Sequence, residues 1–324
     1  MEHFRRPRRL RATAQVRDLV AETRLHRGQF ILPMFVREGI SQPVPIASMP
    51  GVVQHSAASA IEEVRALLDC GVSSVLLFGV TDHKDEDGSY ACRSDFILQR
   101  TISELKDTFG DSVYVFSDLC LDEYTSHGHC GVLDAKGRVD NDRTLLRYQE
   151  LAQSLASAGV DMVAPSGMMD HQVAAIREAL DDMHASECGI LAYSAKYASA
   201  LYGPFREAVD VQIADGGDRR GYQQDYRNQR EALLEVELDL AEGADMVMVK
   251  PASYYLDVLA KIRAICPVPL TAYQVSGEYS MIMSASEAGF IDRKQTILES
   301  LTAIVRAGAD NVLTYFAKEA AGWI

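Results

Sequence analysis

Eight short apolar runs, spaced along 324 residues and separated by segments of helical periodicity, restrict this chain to few architectures. The runs cover 30–36, 74–80, 112–117, 160–165, 189–194, 244–250, 268–274 and 309–315. Most are too short for helices and are hydrophobic throughout rather than alternating, as expected of parallel strands buried on both faces. Between them, apolar residues recur every three or four positions over 57–69, 95–107, 143–158, 170–183, 228–242, 255–264 and 294–307. Gly71, Gly159, Gly243 and Gly308 each stand where a helix would end, just before a strand. Alternating strands and helices with short connections predict a parallel sheet, and eight units predict a (β/α)8 barrel. A doubly wound open sheet is the alternative, but no G-x-G-x-x-G follows the first strand. With no linker or low-complexity segment in view, 29–324 is expected to be one barrel domain and 1–28 an N-terminal arm.

Composition narrows the function. Hydrophobic residues make up 48% and charged residues 24%, ordinary for a globular chain with a substantial core. No run approaches the roughly 18–20 apolar residues of a membrane span. The N-terminus lacks the apolar core of a secretory signal, so the expected location is the cytoplasm and no membrane partner is expected. A net charge of −14 argues against general nucleic-acid binding. Arg5, Arg6, Arg8, Arg9 and Arg11 are a local exception and suit a disordered or partner-gripping arm better than a DNA-binding tail, because nothing else in the chain is basic. Six cysteines in a chain this long do not form a disulfide framework. Cys70, Cys188 and Cys266 read as structural, whereas Cys120 and Cys130 do not.

In a barrel, chemistry gathers where strands end at their C-terminal side. Those ends carry Asp118, Ser166, Lys196, Lys250, Ser276 and Tyr315 in chain order. A lysine at the end of a buried strand suffers desolvation, and a second amine nearby lowers its pKa further. Both effects favour the neutral amine that attacks a ketone to form a Schiff base. The bland alternative is a pair of rim lysines with their stems in apolar surroundings and their charges paired with acids.

The loop after the third strand concentrates possible metal ligands. Cys120, Asp122 and Cys130 have the spacing C-x-D-x7-C, and His127 and His129 lie between them. Two thiolates and a carboxylate suit Zn²⁺ with an open fourth position, as in catalytic zinc sites. The same residues also make an ordinary polar loop with two free thiols.

Taken together, four segments resemble the porphobilinogen synthase (5-aminolevulinate dehydratase) family. They are Ser117-Asp-x-Cys-x-x-Glu-Tyr-Thr-Ser-His-Gly-His-Cys-Gly131, Tyr202-Gly-Pro-Phe-Arg-Glu207, Met248-Val-Lys-Pro-Ala252 and Ala272-Tyr-Gln-Val-Ser-Gly-Glu-Tyr279. The resemblance runs from Arg6 to Ala317. It implies condensation of two 5-aminolevulinate molecules to porphobilinogen, for tetrapyrrole (heme) biosynthesis, with loss of two waters. Lys250 and Lys196 would be the catalytic Schiff-base lysines. Ser276 and Tyr315 would hold the carboxylate of the first substrate, and Arg206 and Arg219, with Gln223 nearby, that of the second. Asp118 and Ser166 would orient the first substrate's amine. The segment 203–222, which contains Asp215-Gly-Gly-Asp218, reads as a lid.

In zinc-dependent members the position of Asp122 is a cysteine. The departure here predicts weaker and less selective zinc binding at Cys120, Asp122 and Cys130. Glu235 matches the position of an allosteric Mg²⁺ in many members, although a solvated helix face would also explain it. The family further implies a homo-octamer built with N-terminal arms. A class I aldolase-type barrel is the rival among enzymes, but it leaves Lys196 and the cysteine loop unexplained. A non-catalytic barrel that binds a carboxylate metabolite is the rival outside enzymes.

Overall fold

The computed structural model describes residues 5–213 and 217–324. Eight parallel strands form the barrel: β1 (Phe30–Arg37), β4 (Ser74–Val80), β5 (Tyr114–Leu119), β6 (Met162–Pro165), β7 (Gly189–Lys196), β8 (Met246–Lys250), β9 (Leu270–Gln274) and β10 (Asn311–Thr314). Each pairs with the next, and β10 closes the ring on β1 through Phe30↔Val312 and Ile31↔Leu313. The (β/α)8 barrel expected from the sequence is the fold observed. A small hairpin, β2 (Val44–Pro45) with β3 (Val53–His55), adds to the far end of β1, where Phe35 faces Gln54.

The outer layer contains α2 (Ala57–Asp69), α3 (Ile97–Phe109), α4 (Asn141–Ser157), α5 (Gln172–Asp182), α7 (Arg230–Ala241), α8 (Leu256–Arg263) and α10 (Arg293–Arg306). Several begin where a side chain satisfies a free backbone N–H: Ser56 caps α2, Asp140 caps α4 and Asp292 caps α10. The glycine punctuation also has its expected conformation, with φ of +104° at Gly243 and +120° at Gly308. The aspartates two residues after these glycines have a further use. Asp161, Asp245 and Asp310 accept the N–H of Val115, Ile190 and Leu270, respectively, tying neighbouring strand starts together.

Four helices lie outside the periodic segments of the sequence: α1 (Ala14–Leu19), α6 (Gly203–Ala208), α9 (Ser276–Glu287) and α11 (Ala317–Ala321). The start of α9 is buried through Ser276, Gly277, Glu278 and Tyr279, so it shows no one-sided apolar stripe. Gly277 is required there because a Cβ would lie 2.5 Å from the Leu201 carbonyl oxygen. The strands also run past their predicted ends. Strand β5 includes Asp118 and Leu119, and β7 continues to Lys196. Residues 5–28 are exposed or half-buried, and among the described residues no helix is long and apolar enough to cross a membrane.

Candidate active site

Lys196 and Lys250 end adjacent strands and are direct register partners. A shift between Ala192 and Ala195 inserts one extra residue into β7 and makes this pairing possible. Such bulges re-aim side chains beside active sites. Both lysines are 4% exposed, although a buried lysine is rare unless it is paired.

Their surroundings differ. The Lys250 ammonium nitrogen lies among four aromatic rings, at 4.5 Å from Tyr273, 5.0 Å from Phe205, 5.1 Å from Tyr193 and 5.3 Å from Tyr202. Burial and the neighbouring Lys196 charge pull its pKa down to about 7. Burial also works against a charged Lys196, but Cys130, Cys120, Asp122 and Asp118 outweigh it and hold the pKa above the usual value. Lys196 Nζ donates to the Ser166 carbonyl oxygen. The expectation that both amines are depressed is therefore met at Lys250 and overturned at Lys196, because only Lys196 faces the acidic loop.

Asp118 is buried on β5, and its Oδ1 has no hydrogen-bond partner among the described residues. Burial lifts its pKa to about 7, against the pull of Lys196 and Lys250. Ser166, which follows β6, is a neighbour whose side chain favours the ionised form of Asp118. On the opposite wall, Tyr315 and Tyr273 share a hydroxyl–hydroxyl hydrogen bond of 2.8 Å. Ser276 Oγ accepts the Phe205 N–H at 2.9 Å, which holds α6 against α9 while the Phe205 ring stands near Lys250.

The cysteine loop folds as the spacing suggests. Ligand atoms of Cys120, Asp122 and Cys130 all lie within 4.8 Å of one another, and Cys130 Sγ is 3.6 Å from Asp122 Oδ1. Two sulfurs and one oxygen, all buried, fit a divalent ion that keeps a fourth position open. His127 and His129 do not join them. His127 Nε2 contacts the Glu86 carbonyl oxygen, and His129 Nδ1 contacts the Tyr222 hydroxyl. Tyr148 supports the loop by donating to the Cys130 carbonyl at 2.7 Å.

Sequence reasoning did not single out Glu123. It is buried with Oε2 unpartnered among the described residues, and it groups with Asp118 and Cys120 as a second possible set of ligands. The adjacency of three acids at 118, 122 and 123 was the available signal. Burial, then Asp122 and Asp118, push the Glu123 carboxyl well above the usual range.

Arg219 reaches the same loop, with Nη2 2.7 Å from Asp122 Oδ2. Burial opposes ionisation of Asp122, but Arg219 and Lys196 hold its pKa below the usual range. Arg206, Arg219 and Gln223 line a cavity of ≈ 580 Å³ with Ser199, Tyr226 and Tyr254. The lysines are not among its lining residues. Arg219 Nε and Gln223 Nε2 are buried donors without partners among the described residues, a deficit that an entering anion would satisfy. Burial and Arg219 lower the Arg206 pKa. Of the predicted lid, α6 and the turn at Arg219 are described, whereas Asp215 and Gly216 lie outside the described residues.

Glu235, on α7, lines a second cavity with Asp134, Asp170 and Glu231, and Gln223 borders both cavities. Burial, then Asp170, Glu231 and Glu242, raise its pKa.

Two lysines in register at the C-terminal mouth of a closed parallel barrel are the arrangement that a lysine-dependent (β/α)8 enzyme would need. The family model described as "Delta-aminolevulinic acid dehydratase" matches residues 4–323. The chain is 58% identical to a delta-aminolevulinic acid dehydratase of Streptomyces coelicolor, over 98% of this chain and 96% of the relative. It is 54% identical to one of Mycobacterium tuberculosis, over 98% and 97%. A crystal structure of the Toxoplasma gondii enzyme, in complex with the reaction product porphobilinogen, superposes with a TM-score of 0.97. That pair is 46% identical, and the match covers 100% of this chain and 92% of the other. The chain belongs to the delta-aminolevulinic acid dehydratase family, and the protein is a lyase.

Proposed function

We infer that the two lysines divide the work of this dehydratase, each tethering one 5-aminolevulinate as an imine while the pair condenses to porphobilinogen. The observation that carries this is the register of Lys196 against Lys250, with both amines buried. A neutral Lys250 attacks the C4 ketone of the first substrate, and Lys196, held as an ammonium by the acids it faces, attacks that of the second once it has passed a proton to Asp118. Each imine releases one water. The second substrate, as its enamine, forms the carbon–carbon bond to C4 of the first. The first substrate's amine displaces Lys196 by imine exchange, and Lys250 leaves by elimination. Both lysines are regenerated, so the net change is one pyrrole and two waters. Tethering makes the bond-forming steps intramolecular, which can contribute roughly 7–11 kcal/mol to lowering the barrier.

The remaining residues bind and move protons. Asp118, with its free Oδ1 and its pKa near neutrality, is placed to exchange a proton between the substrate amine and the lysines, with Ser166 beside it. Ser276 and Tyr315 take the first carboxylate. Ser276 would turn its O–H from the Leu201 carbonyl to that carboxylate while its Oγ still accepts the Phe205 N–H. Arg206 takes the second carboxylate together with the unpartnered donors of Arg219 and Gln223. Formation of a product that colours with Ehrlich's reagent from 5-aminolevulinate tests the overall reaction, and failure to form any pyrrole would refute it.

The depressed Lys250 pKa sets a pH dependence. Below about 7 the amine is protonated and unreactive, and above it the neutral nucleophile dominates. The rate of imine formation is expected to rise with pH and level off above a midpoint near 7, whereas an ordinary lysine has its midpoint at about 10.4. Stopped-flow absorbance with 5-aminolevulinate measures this, and a midpoint above 9 would contradict the assignment.

Cys120, Asp122 and Cys130 would hold zinc, which supplies positive charge and Lewis acidity beside the second substrate. Magnesium is the ion proposed for Glu235. Exhaustive chelation should lower the rate, and zinc should restore it better than magnesium. Any magnesium stimulation should disappear in Glu235→Ala. Full recovery with magnesium alone and no bound zinc would refute the zinc assignment. Asp122→Cys should retain zinc longer against a chelator, because a softer ligand replaces oxygen.

Segment 1–28, basic in sequence and exposed or half-buried over residues 5–28, suits an arm that grips a neighbouring subunit in a homo-octamer. Deleting it should give smaller particles by sedimentation velocity, and an unchanged coefficient would refute that role.

A further inference from the structure

We propose that Asp122 is a positioning residue for Arg219, so that the residue that departs from a three-thiol loop also sets the grip on the second substrate's carboxylate. The inference rests on the reading of Arg219 as an anchor for that carboxylate.

The two oxygens of Asp122 face different neighbours. Oδ1 is 3.6 Å from Cys130 Sγ, and Oδ2 is 2.7 Å from Arg219 Nη2. The side chains are 4% and 8% exposed, so the ion pair is screened little by water. Arg219 Nη2 also donates to the Gly128 carbonyl at 2.9 Å. The guanidinium is thereby held at one nitrogen by two acceptors, and its Nε has no partner among the described residues. Gln223, whose backbone N–H donates to the Arg219 carbonyl at 2.8 Å, contributes a second unpartnered donor, Nε2. A guanidinium held by one edge, with another donor free, is preorganised for an incoming carboxylate and needs little further ordering when it binds.

A cysteine at position 122 could not reproduce this arrangement. A single sulfur facing the other thiols has no second atom for Arg219, whereas a carboxylate can bridge the loop and the anchor. Without Asp122, Arg219 would keep only the Gly128 carbonyl, close to the like charge of Arg206, which already feels it. Neutralisation by Asp122 also weakens the pull of Arg219 on an anion. Arg206 remains to supply positive charge, so placement is the larger effect.

The test uses the full-length protein, with and without chelator, and levulinate, the substrate lacking its amine. Imines are trapped with borohydride, and adducts at Lys196 and Lys250 are quantified separately by peptide mass spectrometry. In Asp122→Asn and Asp122→Cys, the levulinate concentration that half-saturates Lys196 should rise about tenfold, as expected for losing ~1.4 kcal/mol of binding. Trapping at Lys250 should be unchanged, which also reports that the barrel is folded. Trapping of 2-pentanone, which has no carboxylate, registers the change in lysine basicity that loss of Asp122 brings, so the tenfold effect at Lys196 is read as levulinate relative to 2-pentanone. If Arg219→Met weakens levulinate at Lys196 while both Asp122 variants do not, the positioning role is wrong and the anchor stands. If Arg219→Met has no effect, the anchor itself is wrong and the proposal falls with it. Equal weakening of levulinate and 2-pentanone in the Asp122 variants would mark a general structural defect and overturn the proposal.

Discussion

Lys250→Met is expected to abolish turnover, by at least about 10³-fold or ~4 kcal/mol of barrier, while the barrel stays folded. The substitution keeps the length and volume of the side chain and removes the nucleophile. It should not destabilise the protein, because the four rings around this position accept a thioether more readily than a desolvated ammonium. Thermal melting should therefore show a midpoint unchanged or raised. Residual activity above a tenth of wild type would remove Lys250 from its role, since that corresponds to a loss of only ~1.4 kcal/mol.

Lys196→Met should lose nearly all activity too, with a different physical signature. Lys196 is the cation facing Cys130, Cys120, Asp122 and Asp118. Removing it leaves buried anions uncompensated, so stability should fall by about 3 kcal/mol, near the lower end for breaking a buried pair. It also removes a charge that disfavours protonation of Lys250. The pH midpoint for imine formation at Lys250 should consequently rise in Lys196→Met. Combined measurement of melting and the pH profile checks this. An unchanged midpoint would show that the two amines do not sense each other.

The barrel was legible in the sequence because parallel strands buried on both faces leave unmistakable apolar runs, each closed by its own punctuation. The strand-end rule then brought forward Asp118, Ser166, Lys196, Lys250, Ser276 and Tyr315 without any knowledge of side-chain contacts. Helix α9 escaped because its first turn is buried on all sides and begins with serine and glycine, which carry no helical periodicity. The aromatic cage of Lys250 was invisible for another reason. Tyr193 sits on β7, Tyr202 and Phe205 at the start of α6 and Tyr273 on β9, and only closure of the barrel and placement of α6 gather them. The upward shift at Lys196 likewise depends on which lysine faces the acidic loop, which is set by three-dimensional placement. The pairing of Asp122 with Arg219 has no local signal, since each residue alone reads as a ligand or an anchor.

Incubation with 5-aminolevulinate and borohydride, followed by peptide mass mapping, most directly tests the paired tethers. Substrate-derived secondary amines are expected at both Lys250 and Lys196 in the wild-type protein, with the Lys250 adduct persisting in Lys196→Met. An enzyme that makes porphobilinogen yet carries no adduct at either lysine would contradict this account.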